Sequence, residues 1–189
     1  ITGAIILIPT ATAPIWFGSG NDAGLVGKWS CENNFLDSSG QGNNGTQSGG
    51  VTITDGIKGR GCGFDGSNDY VATNLKFAPK NFTACIWAKQ IDATPKWCFL
   101  DTANLDGNSV GFGIYSAASD ENLYFFVANG TSAASTSIAY PYTSYENSWT
   151  HICGAYGGGV NAGDMKLYMN GILVSTNNVS SPTTTTSSY

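Results

Sequence analysis

The sequence predicts an all-β fold, an antiparallel two-sheet β-sandwich, for three reasons. Short runs rich in β-branched and aromatic residues recur along the chain, and turn segments rich in Gly, Asn and Ser separate them at short intervals. Asn170-Gly171 stands between two alternating runs, and both residues tolerate the positive φ that a type I′ hairpin turn demands. No stretch has the apolar periodicity of an amphipathic helix.

Residues 1–23 form a segment of their own, with an apolar run near the start. Ile5, Ile6, Leu7 and Ile8 have the β-branched content of a buried strand. The run is far too short to span a bilayer. Two interpretations stay open: the first strand of the sandwich, or an assembly strand that pairs with a neighbouring subunit, since an unpaired apolar strand is an association site.

Residues 24–179 are predicted to form the sandwich, and residues 180–189 a linker or tail because they are almost entirely Ser, Thr and Pro. Within the sandwich, the polar segment before residue 60 cannot bury enough apolar surface to be core and is predicted to be a surface loop. The predicted strands are 25–31, 61–65, 70–73, 82–90, 97–101, 110–115, 122–127, 150–156, 165–169 and 172–175.

The charge composition limits the classes of partner. Charged residues make up 11% of the chain and the net charge is −5, so the clustered basic patch of a nucleic-acid surface is absent from the sequence. Abundant Gly, Ser, Thr and Asn are common in secreted, cell-surface or virion β proteins, and that exterior location is expected here. Sequons for glycosylation occur at Asn44, Asn81, Asn129 and Asn178.

Five cysteines lie at positions 31, 62, 85, 98 and 153, without the spacing of a zinc finger. They are either small buried hydrophobic residues or members of one or two cross-strand disulfides in an oxidising compartment. Both interpretations follow from the sequence, and an odd cysteine remains in the second.

Three blocks of the chain occur in an order typical of one superfamily. The first block has a Val-Gly-Lys-Trp run, a loop from Asp37 to Thr46 and a Phe-Asp-Gly-Ser-Asn-Asp-Tyr-Val run; the others are a Phe-Thr-Ala-Cys-Ile-Trp-Ala-Lys run and a late Trp-Thr-His hairpin. Together they resemble the laminin-G-like jelly-roll domains of the concanavalin A-like lectin/glucanase superfamily. The resemblance covers residues 24–174, at 26–29, 37–46, 64–71, 82–89, 149–156 and 165–174.

The resemblance implies a concanavalin A-like jelly roll and several details. The strands that hold Cys85 and Cys153 should be close, which favours a disulfide between them. Family domains usually end in an acidic closing strand that this sequence lacks. Either the chain is a fragment, or another segment fills the place of that strand, and residues 5–8 of the same or another subunit are a candidate. Related domains often hold Ca²⁺ at loop carboxylates, which points to Asp37, Asp65 and Asp69 as ligands. For these three residues the alternative is a turn, in which Asp binds its own backbone.

The superfamily includes glycoside hydrolases, but the carboxylates of this chain do not favour that activity. A retaining glycosidase needs two carboxyl groups close together. The only glutamates are Glu32, Glu121 and Glu146, and none begins the Glu-x-Asp-x-Glu motif of the superfamily's glucanases. The single histidine, His151, lacks a nucleophile-elbow signature and is interpreted as structural. No catalytic residue is predicted.

Tyr140, Tyr142 and Tyr145 occupy a predicted loop, and exposed loop aromatics are candidates for ligand contacts. The expected function is therefore a non-catalytic recognition or adhesion module, displayed on an exterior surface, that binds a glycan or protein. The alternative is a structural subunit of an extracellular filament or virion that assembles into a homo-oligomer through its apolar N-terminal strand.

Overall fold

A computed structural model describes residues 2–8, 24–75, 81–91, 97–102, 110–117, 119–129, 136–157 and 164–177. Within these ranges the chain forms strands, turns and a short 3-10 turn at Thr143–Tyr145, and none of it is an α-helix. The described residues accordingly include no helix of the length and apolarity that a membrane crossing needs. The strands are β1 Thr2–Ile8, β2 Gly27–Trp29, β3 Gly45–Ser48, β4 Thr52–Asp55, β5 Arg60–Gly63, β6 Tyr70–Thr73, β7 Phe82–Lys89, β8 Trp97–Asp101, β9 Val110–Ser116, β10 Asn122–Asn129, β11 Thr136–Pro141, β12 Thr150–Tyr156, β13 Met165–Met169 and β14 Ile172–Asn177.

The strands form an antiparallel β-sandwich, which confirms the predicted fold class. The larger sheet has eight strands in the order β14-β13-β12-β7-β1-β5-β4, with β2 also paired to β1. The smaller sheet has the order β11-β10-β9-β8, and β3 and β6 form a separate two-stranded ribbon. The predicted hairpin turn at Asn170-Gly171 joins β13 to β14, and both residues have positive φ.

Successive side chains of a strand point to opposite faces of its sheet, and the buried ones point into a core between the two sheets. On β7 the residues Phe82, Ala84 and Ile86 are buried, and the residues between them are half-buried on the opposite face. From the smaller sheet, Ile114 and Phe125 enter the same core and are fully buried. Because both sheets contribute to one apolar cluster, hydrophobic burial holds the two layers together.

β1 lies in the middle of the larger sheet of its own chain. Along its whole length it pairs with β7, and on its other edge it pairs with β2 and β5. This is the first of the two arrangements considered for the apolar run, a strand of the sandwich. β1 joins the two parts of the larger sheet, so the strand within residues 1–23 is a strand of the sandwich. Residues 9–23 and 178–189 lie outside the described residues.

Strands β3, β4 and β11 were not predicted. The first two lie in the polar segment that was interpreted as a loop, and their side chains are mostly exposed or half-buried. Such strands carry little apolar alternation, because only one face contacts other residues and their stability comes from pairing with β6 and β5. β11 pairs with β10 at the edge of the smaller sheet.

Candidate functional site

A group of aromatic side chains lies on the outer face of the smaller sheet. β9 and β10 are antiparallel with Tyr115 directly opposite Tyr124, and the neighbouring residues Ile114 and Phe125 point into the core. Period-two alternation therefore places both tyrosines on the face away from the core. Their rings are stacked, with centroids 5.2 Å apart and planes 9° apart.

Phe126 supports this group from one side and is itself buried, at 6% exposed. Its ring packs edge-on against Tyr115, with centroids 5.8 Å apart and planes at 68°. The ring lies over Gly113, the residue opposite Phe126 on β9, where a Cβ atom would come within 2.8 Å of the Cζ atom. A side chain at Gly113 would displace the ring, so this glycine permits the close approach. We call Tyr115, Tyr124 and Phe126 the tyrosine patch.

A carboxylate borders the tyrosine patch. The Tyr124 hydroxyl donates a hydrogen bond to Oδ2 of Asp120, and the Asn122 backbone N–H donates to Oδ1 at 3.2 Å. The bond from Tyr124 is the main reason that the pKa of Asp120 lies below its usual range, and it raises the pKa of Tyr124. Burial, and then the charge of Asp120, raise the pKa of Tyr115. Asp120 is exposed and ionised at neutral pH, so it offers acceptor oxygens to solvent beside the two rings.

Aromatic faces next to a carboxylate can bind a partner in two ways. The rings offer apolar surface with few rotatable bonds, which is why tyrosine is enriched in binding surfaces. The carboxylate accepts hydrogen bonds from hydroxyl or N–H groups. The sequence did not single out these residues, because Leu123, Tyr124, Phe125 and Phe126 are all apolar or aromatic and their run does not reveal which faces outward.

The predicted contact residues Tyr140, Tyr142 and Tyr145 do not form an exposed loop, and that expectation is wrong. Tyr142 is 1% exposed, and its ring lies 5.9 Å from those of both Phe99 and Tyr145. Tyr140 is on β11, and both it and Tyr145 are half-buried against the core. Tyr142 is thus a core residue, and Tyr140 and Tyr145 pack against that core with part of each side chain exposed. Contact of Tyr140 and Tyr145 with a ligand stays a prediction.

The Tyr142 hydroxyl is buried without a hydrogen-bond partner among the described residues. Burial, and then the charge of Glu146, raise the pKa of Tyr142 far above its ordinary value. The phenol therefore stays protonated in the folded protein.

Asp37 holds the loop that follows β2. Its Oδ1 accepts from the backbone N–H of Lys28 at 2.9 Å and of Ser39 at 2.8 Å, and its Oδ2 accepts from Ser39 Oγ at 2.8 Å and Asn43 N–H at 2.9 Å. Burial acts to raise the pKa of Asp37, but these hydrogen bonds outweigh it and lower the pKa. The carboxylate thus replaces the regular pairing that this Gly- and Asn-rich loop lacks.

Asp65 and Asp69 hold a second turn. Asp69 Oδ2 accepts from the Asp65 backbone N–H at 3.0 Å, its Oδ1 accepts from Gly50 N–H, and Asp65 Oδ1 accepts from Ser67 N–H at 2.8 Å. These contacts are those of the turn interpretation. Among the described residues, the three aspartates do not come together as a ligand group. Calcium binding at Asp37, Asp65 and Asp69 stays a prediction.

The cysteines form two disulfides, Cys85–Cys153 and Cys31–Cys62. The first joins the pair that the resemblance favoured, on the adjacent strands β7 and β12. The second links Cys31, two residues after β2, to Cys62 on β5, 31 residues later, and no feature of the sequence paired them. Cys98, on β8, is exposed.

His151 lies on the outer face of the larger sheet, directly opposite Trp87, and their ring centroids are 5.0 Å apart. Burial lowers the pKa of His151.

Of the sequons, Asn44 and Asn81 are exposed, Asn129 ends β10, and Asn178 lies outside the described residues. Asn44 also accepts a hydrogen bond from the Asp37 backbone N–H at 3.1 Å.

Comparison with known proteins gives both a family and a set of similar structures. A laminin-G-like family model, described as concanavalin A-like lectin/glucanases superfamily, matches residues 65–189. A comparison with curated proteins found no match.

Three solved structures have a fold similar to that of this chain. The first is the binding domain of botulinum neurotoxin DC in complex with rat synaptotagmin II, with a TM-score of 0.63 and 18% identity over 84% of this chain and 40% of that one. The second, described as HCR/D-Sa-GBL1/C, has a TM-score of 0.62 and 17% identity over 82% of this chain and 39% of that one. The third, from a study of botulinum neurotoxin type C cell entry and its dependence on two ganglioside molecules, has a TM-score of 0.56 and 20% identity over 84% of this chain and 39% of that one. The chain spans about two fifths of each of these longer chains, and the similarity shows a shared fold.

Proposed function

Because the chain belongs to the laminin-G-like family of the concanavalin A-like lectin/glucanase superfamily, we propose that it is a non-catalytic recognition module that binds a glycan through the tyrosine patch. The observation that carries the proposal is the stacked pair of Tyr115 and Tyr124, with the carboxylate of Asp120 hydrogen-bonded at its border. A sugar ring presents apolar C–H groups on its faces and hydroxyl groups at its edge. Stacked aromatic rings next to an exposed acceptor complement both features.

A protein partner is the alternative, because tyrosine-rich surfaces also bind proteins. Of the similar structures, one is a complex with a protein, synaptotagmin II, and another comes from work on interaction with gangliosides. The Asp120 carboxylate favours the glycan, because a partner rich in hydroxyl donors satisfies an exposed acceptor at many orientations.

We infer that the module is non-catalytic from its carboxylates. Hydrolysis of a glycosidic bond uses a pair of carboxyl groups on either side of that bond. Asp120 is engaged by the Tyr124 hydroxyl and the Asn122 N–H, and the chain lacks the Glu-x-Asp-x-Glu motif of the superfamily's glucanases. Incubation with a glycan that binds should release no reducing ends, and measurable turnover would contradict this part of the proposal.

An exterior location is part of the proposal. The two disulfides support it, because disulfides persist in oxidising compartments and are rare in the cytosol. The sparse charge of the chain agrees with this location. The second candidate, a filament or virion subunit, depended on an N-terminal strand available to a neighbour, and β1 has both edges paired within its own chain.

The test is a glycan array followed by calorimetric titration of the glycan that binds best. Tyr124→Leu and Asp120→Asn should each weaken binding at least about tenfold, the effect of losing one well-formed contact. Tyr70→Leu is the matched control, because Tyr70 is an exposed tyrosine on β6, away from the smaller sheet. Equal binding by all four proteins would exclude the tyrosine patch. The protein alternative would be favoured by two results together: the chain binds no glycan on the array, and it captures a protein whose binding is abolished by Tyr124→Leu and Asp120→Asn.

A further inference from the structure

Three potential metal ligands lie together on the outer face of the larger sheet. Cys85 on β7 is directly opposite Cys153 on β12, and the two are joined in a disulfide. His151 precedes Cys153 by two residues and therefore points to the same face. The three ligand atoms all lie within 4.8 Å of one another, and they form the one such group among the described residues.

We propose that reduction of this disulfide opens a binding site for one thiophilic cation such as Zn²⁺, held by the sulfur atoms of Cys85 and Cys153 and a ring nitrogen of His151. Zn²⁺ prefers this mixture of thiolate and imidazole ligands. The site lies on the opposite side of the sandwich from the tyrosine patch, and it does not depend on the proposed glycan recognition.

The distances suit a tetrahedral ion. With Zn–S near 2.3 Å and Zn–N near 2.1 Å, two ligands of one tetrahedral ion are about 3.6 Å apart for sulfur and nitrogen and about 3.8 Å apart for two sulfurs. The His151 Nε2 atom is already 3.6 Å from the Cys153 sulfur. The two sulfurs must separate when the bond between them breaks, and all three ligand atoms already lie within 4.8 Å of one another.

The strand pairing permits that separation without moving the backbone. Cys85 and Cys153 are opposite residues with Cα atoms 4.1 Å apart. The Cβ atoms of a disulfide are about 3.5–4.5 Å apart, so χ1 rotations of the two cysteines can bring the thiolates to the spacing of about 3.8 Å that an ion requires. β12 is itself held on both edges, by β7 and β13, and keeps His151 and Cys153 in place.

The imidazole is held in position before any ion arrives. Trp87 lies opposite His151 and its ring packs at a centroid distance of 5.0 Å, with planes 36° apart. A ligand that is already oriented loses little conformational freedom on binding, which favours affinity. Three protein ligands leave one position of a tetrahedral ion for water or for a donor from another molecule.

The chemistry balances with a dithiol as the reductant. A thiolate of the dithiol attacks one sulfur, its second thiolate releases the mixed disulfide, and the reductant leaves as a cyclic disulfide. Two electrons and two protons pass to the protein, which leaves Cys85 and Cys153 as thiols. Binding of the cation then displaces the two thiol protons into solvent.

The experiment uses the full chain with Co²⁺ as the probe, because thiolate-to-cobalt charge transfer and the d–d bands of a tetrahedral ion report the ligand type and geometry. After reduction with a dithiol and its removal without oxygen, the protein should develop both bands at one equivalent of Co²⁺, and added Zn²⁺ should abolish them. The oxidised protein should develop neither. Near-ultraviolet circular dichroism shows whether each sample remains folded.

Two variants separate this site from other thiols. His151→Ala keeps both cysteines and should weaken Co²⁺ binding at least about tenfold, as removal of a ligand does. The variant Cys31→Ser, Cys62→Ser, Cys98→Ser lacks the other cysteines and should bind one equivalent with unchanged bands. The proposal is overturned if the reduced, folded chain binds no Co²⁺ through sulfur, if His151→Ala leaves the affinity unchanged, or if the triple variant remains folded and loses the bands.

Discussion

Gly154 on β12 lies directly against the ring of Phe125 on β10, so that a Cβ atom at Gly154 would be 2.5 Å from the Cδ2 atom of that ring. Phe125 is fully buried, and its ring also contacts Phe82 with centroids 6.1 Å apart. The ring therefore has little room to move aside. The absence of a side chain at Gly154 sets how closely the two sheets approach each other at this point.

Gly154→Ala should lower the free energy of unfolding by about 1–3 kcal/mol, the cost of forcing an extra methyl group into a packed core. Chemical denaturation monitored by fluorescence measures this change. Gly50→Ala is the control, because a Cβ atom there would meet the Asp69 carboxylate at an ordinary 3.5 Å, and we expect a change within about 0.5 kcal/mol. Equal stability of Gly154→Ala and the native chain would contradict the close approach of the sheets.

Asp37→Asn should lower the free energy of unfolding by about 1–3 kcal/mol, because the amide nitrogen cannot accept the hydrogen bonds that Oδ2 receives from Ser39 and Asn43. Asp55→Asn is a matched control, at an exposed position on β4. The measurement is repeated with calcium and with a chelator. A difference between the native chain and Asp37→Asn that appears only with calcium would show that a cation, and not the turn, needs this carboxylate.

The same variant should show a defined pH dependence. The pKa of Asp37 in the folded state lies below its ordinary value of 3.8. The ionised carboxylate therefore contributes its full stabilisation above that value, and the contribution is lost as the pH falls through the folded pKa. We expect the stability difference between the native chain and Asp37→Asn to be constant from pH 5 to 7 and to shrink below about pH 4. A difference that grows on acidification would be inconsistent with this account.

Tyr142→Phe should leave the free energy of unfolding unchanged or raise it by up to about 1 kcal/mol, because it removes a buried hydroxyl that has no partner among the described residues. Tyr142→Ala should lower it by about 3–5 kcal/mol, since it also removes the ring from the core. The pair of variants is compared by thermal and chemical denaturation. A marked loss in Tyr142→Phe would reveal a hydrogen bond to this hydroxyl in the folded protein.

Deletion of residues 1–8 should destabilise the chain and leave β7 and β5 with unpaired edges, because β1 pairs with both. Light scattering coupled to size exclusion should find the full chain monomeric and the shortened chain prone to association. A peptide of residues 1–9 added in excess should restore stability. If the chain is instead a filament subunit, the full chain should associate, and the shortened chain should be folded and monomeric.

The sequence predicts those parts of the fold in which local pattern and tertiary environment agree. β7 alternates between buried and half-buried residues along its whole length, and Asn170-Gly171 forms the expected turn. β3 lies where Gly, Thr, Gln and Ser provide no apolar alternation, and its pairing with β6 depends on residues far along the chain. Such strands are stabilised by their partners, which no local window contains.

The candidate site was less predictable than the fold for the same reason. Tyr142 was expected to be exposed because it lies in a predicted loop, but Phe99 and Tyr145 pack around it. Tyr115 and Tyr124 lie on different strands, and their stacking depends on the register between β9 and β10. A register is a property of two strands together, so the sequence of either strand alone does not reveal it.

The central position of β1 also affects how the protein is made. Ile5 pairs with Ile86, about 80 residues later, so this strand leaves the ribosome long before its main partner exists. Until β7 has been synthesised, the nascent chain carries an unpaired apolar segment that chaperones or other nascent chains can bind. Completion of the larger sheet is therefore a late step, and yield in cells should depend on how well this segment is shielded while translation continues.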